Sequence, residues 1–215
     1  MRIHATMKLL FRSMCFLLAV ILLSSFKSAD PNQEITVQSA YSDHTFVIPR
    51  GYFLYPPPLD GNVSKSTAEA FIVDYPNFDF QSENNNRKFR EKGSPDIVMF
   101  MIRLAPSRPI NQFLNMRIQI LKKNPVSSYD EDKKLRVFSQ KIALTHYQKD
   151  LFVDPLGGPN FIECNSPGSV PAPNCQMYFI WDGLTVESTF NLLRIGDRQF
   201  IRTHIIEKLR QWKQN

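Results

Sequence analysis

Glycine is scarce in this 215-residue chain, at 8 residues, and only three cysteines and four histidines occur. Few glycines, with 15 prolines scattered without period, exclude a collagen-like repeat, while 43% hydrophobic and 12% aromatic residues exclude a disordered chain. The catalytic motifs with the firmest spacing are missing. No serine has glycine two residues away on both sides, so no nucleophile elbow is present. His44, His146 and His204 lie far apart, which removes a zincin-type pair one helical turn apart. Gly157-Gly158 runs into Pro159 rather than into a helix start carrying lysine, so no glycine loop for phosphate is formed. No cofactor or metal site is expected.

Excess charge is also absent once the amino terminus is set aside. The chain has a formal charge of +6, but Arg2, Lys8, Arg12 and Lys27 fall in residues 1–29, which hold no acid. The remainder carries 22 bases to 20 acids, too even a balance for a nucleic-acid partner. Residues 14–23 form the longest apolar run, preceded by those cations and followed by Ser24, Ser25, Ser28, Ala29 and Pro31. That order is the layout of a secretory signal peptide. Ten residues of helix cover about 15 Å, half of a ~30 Å hydrocarbon core. Residues 1–29 are therefore expected to direct export and to be removed after Ser25 or Ala29, the alternative being a retained anchor. Cys15 follows Arg12, Ser13 and Met14 and precedes the apolar run, the reverse of a lipidation signal.

Removal of the leader leaves Cys164 and Cys175, an even count in an oxidising compartment, which reads as one disulfide. A two-thiol metal site lacks the short ligand spacing and nearby histidines. Between the cysteines lie Pro167, Gly168, Pro171 and Pro173, as suits a compact loop.

Residues 30–215 read as a single α+β domain, mainly antiparallel sheet with a C-terminal amphipathic helix. Strict alternation in residues 114–120 predicts a half-buried strand. Residues 69–75 and 96–104 are more continuously apolar, bounded by Pro76 and by Pro95 and Pro106, and predict central strands covered on both faces. Further strands are expected at 34–38, 45–48, 135–139, 143–147, 151–154 and 161–164. Asp182-Gly183 between two apolar runs predicts a hairpin. A helix is expected from about Asp197, its N-cap, to Lys213, with Ile201, Ile205, Leu209 and Trp212 on one face. Residues 51–62 and 81–94 read as irregular: a Tyr/Phe/Pro-rich extended stretch and a long polar loop. Asp130-Glu131-Asp132-Lys133-Lys134 nearly balances its own charge and reads as a solvated loop.

Individual side chains give weaker leads. Ser42, Asp43 and His44 contain the residue types of a hydrolase site, but neighbours on a strand point to opposite faces, so a solvated turn is the expectation. Paired acids such as Asp74 with Asp79, or Asp150 with Asp154, are too common to indicate glycosidase chemistry. Aromatic side chains gather around the two irregular segments, where they serve either as interface anchors or as core beneath the loops. As partner-binding candidates the residues are Tyr52, Tyr55, Phe78 and Phe80, with Arg87, Lys88 and Arg90 of the basic run.

The C-terminal third carries a family likeness. Cys164, a Pro-rich loop, Cys175, the run Tyr178-Phe179-Ile180-Trp181-Asp182-Gly183-Leu184-Thr185-Val186-Glu187 and a helix ending at Trp212 follow in that order. This arrangement resembles periplasmic immunity proteins of type VI secretion lipase or amidase effectors. The resemblance implies a non-catalytic inhibitor in the periplasm of a Gram-negative bacterium, with a secreted toxin as protein partner. Contact with membrane is expected only through the leader, if that is retained as an inner-membrane anchor. An envelope hydrolase of unrecognised type and an envelope assembly factor are the alternatives.

Overall fold

The computed structural model describes residues 30–57, 64–104, 127–132, 134–141, 148–153 and 161–214. In chain order its elements are β1 (Glu34–Ser39), β2 (Thr45–Pro49), a 3-10 turn (Arg50–Tyr52), β3 (Ser64–Ser66), β4 (Ala68–Asp74) and the short helix α1 (Asn86–Arg90). These are followed by β5 (Ile97–Arg103), β6 (Ser127–Asp130), β7 (Leu135–Lys141), β8 (Gln148–Val153), β9 (Phe161–Asn165), β10 (Asn174–Trp181) and β11 (Leu184–Asn191). A 3-10 segment (Leu192–Asp197) then leads into α2 (Arg198–Trp212). Among the described residues no helix is long and apolar enough to cross a membrane.

The Asp182-Gly183 hairpin organises the larger sheet. β10 and β11 pair from Asn174↔Asn191 to Trp181↔Leu184, leaving two residues for the turn. Their φ angles are 51° and 76°, both positive as a type I′ turn requires, and its twist matches that of the flanking strands. The sheet extends from this pair in both directions, in the order β4-β5-β11-β10-β9-β8-β7-β6, antiparallel throughout. A second sheet, β2-β1-β3, pairs β1 with β3 in parallel.

One face of the large sheet holds the core. Phe71 on β4, Phe100 on β5, Val186 on β11 and Phe179 on β10 are buried there. Ile201, Ile205, Leu209 and Trp212 of α2 are buried as the helical period predicts. Trp212 lies 5.2 Å from Phe71 and 6.1 Å from Phe100, ring centre to ring centre. The smaller sheet adds Val37, Phe46 and Ile48 to the same cluster.

Several local expectations are corrected. β4 is an edge strand, and β5 alternates, with Val98, Phe100 and Ile102 buried while Met99 and Arg103 are exposed. Methionine at outward positions hid that alternation in the sequence. Residues 81–94 contain α1; of the run expected as a solvated loop, Asp130 instead ends the edge strand β6, while Glu131, Asp132 and Lys134 lie in an exposed turn. The Asp197 side chain makes no cap bond to α2, which is entered from the 3-10 segment, and Asn191 caps that segment by accepting from Leu193 N at 2.9 Å. Residues 114–120 and 143–147 lie outside the described residues, as does the whole of the leader, residues 1–29.

Glu69 is half-buried near the start of β4, opposite Ile102. Burial pushes its carboxyl pKa up, against a smaller opposing effect of its hydrogen bond with Ser66. A carboxyl whose folded pKa exceeds its unfolded value favours the folded state below the unfolded pKa, and that contribution is lost as pH rises through the folded pKa. Glu69→Gln is therefore expected to be more stable than the parent at pH 7, with the gain vanishing as the pH falls below about 4. Urea denaturation as a function of pH checks this; a difference that does not change with pH would reject it.

Candidate functional site

Residues 75–94 are held from below by a buried ion pair. The Asp74 carboxylate, 1% exposed, accepts from Lys88 Nζ at 2.8 Å and from the Asp79 amide at 3.0 Å. Lys88 also donates to the Tyr75 carbonyl at 2.7 Å, so a buried charge is neutralised and α1 is tied to the end of β4. Asn85 shapes the approach to α1, accepting from the Ser82 amide at 2.7 Å and donating to the Phe80 carbonyl at 3.0 Å.

This framework divides the seven partner-binding candidates. Tyr52 and Phe78 are corrected, because both are core residues. Tyr52 meets Trp212 edge-on at 4.9 Å and accepts from Lys208 Nζ at 2.9 Å. Phe78 is fully buried, 5.1 Å from the His204 ring. Phe80 is half-buried over Gly51, where a Cβ would come within 2.6 Å of its ring, so only glycine permits that approach. Lys88 is corrected as well, since its charge is spent on Asp74. Tyr55, Arg87 and Arg90 remain at the surface, and neither arginine has a partner among the described residues.

Sequence reasoning missed a cleft of about 270 Å³ beside α1. Phe89 and residues 91–94 form one wall, Ala172 and Asn174 of the disulfide loop another, and Met99 with Thr189 and Phe190 of the β5–β11 pair line it between them. Cys164 and Cys175 face each other across β9 and β10, bonded at 2.07 Å, which places the Pro-rich loop at the rim. At Gly93, φ +74°, an added Cβ would lie 2.7 Å from the Ala172 Cβ, so the two walls touch. Three stretches, residues 89–99, 172–174 and 189–191, build this cleft, and no local pattern announces it.

A second cluster joins residues that the sequence left apart. His44 Nδ1 lies 2.9 Å from Ser42 Oγ and His44 Nε2 lies 3.0 Å from Asp182 Oδ2. Asp182, rather than the adjacent Asp43, orients the imidazole. Lys213 shares the same carboxylate oxygen, and its hydrogen bond, with that of His44, holds the Asp182 carboxyl below its usual pKa. The amides of Tyr41 and Ser42 both donate to Ser39 Oγ, which leaves neither free to stabilise an oxyanion beside Ser42. Structurally the cluster clasps the β1–β2 turn, the β10–β11 turn and the end of α2.

No protein-family model matches the chain, and no curated protein matches it. Two solved structures share the fold. Smlt3025, an immunity protein of the Stenotrophomonas maltophilia type IV secretion system, aligns with a TM-score of 0.56 at 12% identity, over 86% of this chain and 94% of its own. The Neisseria meningitidis iron-regulated outer membrane lipoprotein FrpD aligns with a TM-score of 0.52 at 11% identity, over the same shares. The chain thus has an α+β fold, mainly antiparallel sheet with a C-terminal helix, that is similar to folds found in a secretion-system immunity protein and in an outer-membrane lipoprotein.

Proposed function

We propose that the protein is exported by its leader to the periplasm of a Gram-negative bacterium, where it binds and neutralises a protein partner, a secreted effector. The observation that carries this reading is the rigid display of Arg87 and Arg90. Both stand exposed and unpaired among the described residues, on a helix whose base is fixed by the Lys88–Asp74 pair. Preorganised side chains lose little freedom on association, which lowers the cost of binding. The signal-peptide layout and the disulfide both suit an oxidising envelope compartment. The fold likeness to an immunity protein supports an effector as partner, and that neighbour belongs to a type IV rather than a type VI system.

The test is affinity capture of the tagged, exported protein from envelope fractions, followed by co-expression with whatever is captured. The expected result is one partner recovered reciprocally, whose toxicity in the periplasm is relieved by this protein. Capture of nothing above control, or of a partner that is harmless on its own, would overturn the neutralising role. An envelope hydrolase is the second reading, favoured by the Ser42–His44–Asp182 chain. Fluorophosphonate labelling that disappears in Ser42→Ala would carry it in place of the first.

A further inference from the structure

We infer that the cleft between α1, the disulfide loop and the β5–β11 pair receives an acidic segment of a protein partner, which inserts one apolar side chain beside Met99. This inference rests on the partner-binding reading and gives it a place and a chemistry. The size comes first. About 270 Å³ is less than a drug-sized ligand fills but ample for one large side chain. The lining is of matching character, with Phe89, Ile97, Met99 and Ala172 supplying apolar surface and Thr189 and Asn191 a polar edge.

The walls are fixed before any partner arrives. The Leu192 amide donates to the Pro173 carbonyl at 2.9 Å, and the disulfide closes the loop that carries Ala172. Leu193 stands 80% exposed next to Asn191, an apolar group outside the core that would flank an inserted segment. A cleft already formed loses little freedom on binding.

Charge selects the partner. Asp74 is taken by Lys88 and Asp96 by Arg194 at 2.6 Å, so the acids beneath the rim are neutralised within the fold. Arg87, Arg90 and Lys92 have no partner among the described residues, and Glu91 is the acid that lies between them. Lys92 and Glu91 line the cleft, and Arg87 and Arg90 stand exposed on the adjoining helix, so the α1 side carries net positive charge beside an apolar socket, complementary to acidic residues next to an apolar anchor.

The experiment pans displayed random peptides against the exported protein at low salt and measures binding of the selected peptides to two charge-reversal variants. The cleft variant is Arg87→Glu/Arg90→Glu/Lys92→Glu. The control, Lys65→Glu/Lys134→Glu/Arg210→Glu, makes the same charge change at exposed positions elsewhere. Selected peptides should be acidic and carry Leu, Ile, Phe or Met. They should bind the cleft variant about tenfold more weakly, as three exposed ion pairs together would give, and the control within about twofold of the parent. Met99→Glu, at an exposed position, should also lose binding while melting like the parent.

Peptides without an acidic bias, or an equal loss in both charge variants, would overturn the inference. So would binding to phosphatidylglycerol vesicles that the cleft variant loses, in the absence of peptide binding. The two proposals fail separately. A captured toxin held equally well by the parent, the cleft variant and Met99→Glu would leave the neutralising role standing and remove the cleft. Selective peptide binding with no envelope partner captured would do the reverse.

Discussion

Phe78→Ala is expected to lower folding stability by about 3–5 kcal/mol, the cost of emptying a buried phenylalanine site that collapses only in part. The ring has no exposed surface and packs 5.1 Å from His204 and 6.2 Å from Phe200, on two successive turns of α2. The backbone there has φ +60°, a left-handed conformation that alanine tolerates no better than phenylalanine, so truncation brings no relief of strain. Hydrogen bonds from the Phe78 amide to the Asp74 carbonyl, 2.9 Å, and from the Asp79 amide to the Asp74 carboxylate hold the turn in place while the side chain is lost. Tyr55→Ala supplies the contrast. With 79% of that residue exposed, the change should stay within about 0.5 kcal/mol. Urea denaturation of both variants separates core from surface, and a Phe78 loss as small as that of Tyr55 would contradict the packing described here.

Replacing Cys175 by Ser is expected to cost about 3 kcal/mol. Opening a loop whose ends are 11 residues apart restores chain entropy of that size to the unfolded state on the loop-closure model. Burial makes the cost larger, because Cys164 and Cys175 are 1% and 0% exposed and the serine hydroxyl enters an apolar site. Reduction of the parent should reproduce the entropic part without the hydroxyl, so the variant should fall below the reduced parent. Equal midpoints for variant, reduced parent and oxidised parent would mean that the bond adds no stability. A functional consequence is expected too. The loop bears Ala172 on the cleft wall, so the reduced protein should bind the selected acidic peptides more weakly even where it remains folded.

Local geometry was legible in the residues. Asp182-Gly183 has positive φ at both positions because aspartate tolerates, and glycine prefers, the conformation that the turn demands. Ile201, Ile205, Leu209 and Trp212 are buried because a period of 3.6 residues puts them on one side of any helix, whatever it packs against. Cys164 and Cys175 were each other's only candidate once the leader was discounted, and the strands that carry them are neighbours in the sheet.

What lay beyond the sequence was everything decided by neighbours remote along the chain. Tyr52 and Phe78 looked equally fit for an interface or a core, and α2, more than a hundred residues downstream, settled that they are buried. Lys88 was indistinguishable from Arg87 and Arg90 until the end of β4 placed Asp74 beneath it. His44 found its carboxylate in Asp182, 138 residues away, instead of in adjacent Asp43. Sequence periodicity alone determined which side chains share a face, because backbone dihedrals repeat locally. Only the tertiary structure decided which face is covered, which charges are neutralised and where a cleft opens, because burial and ion pairing depend on segments that meet only when the sheet has assembled.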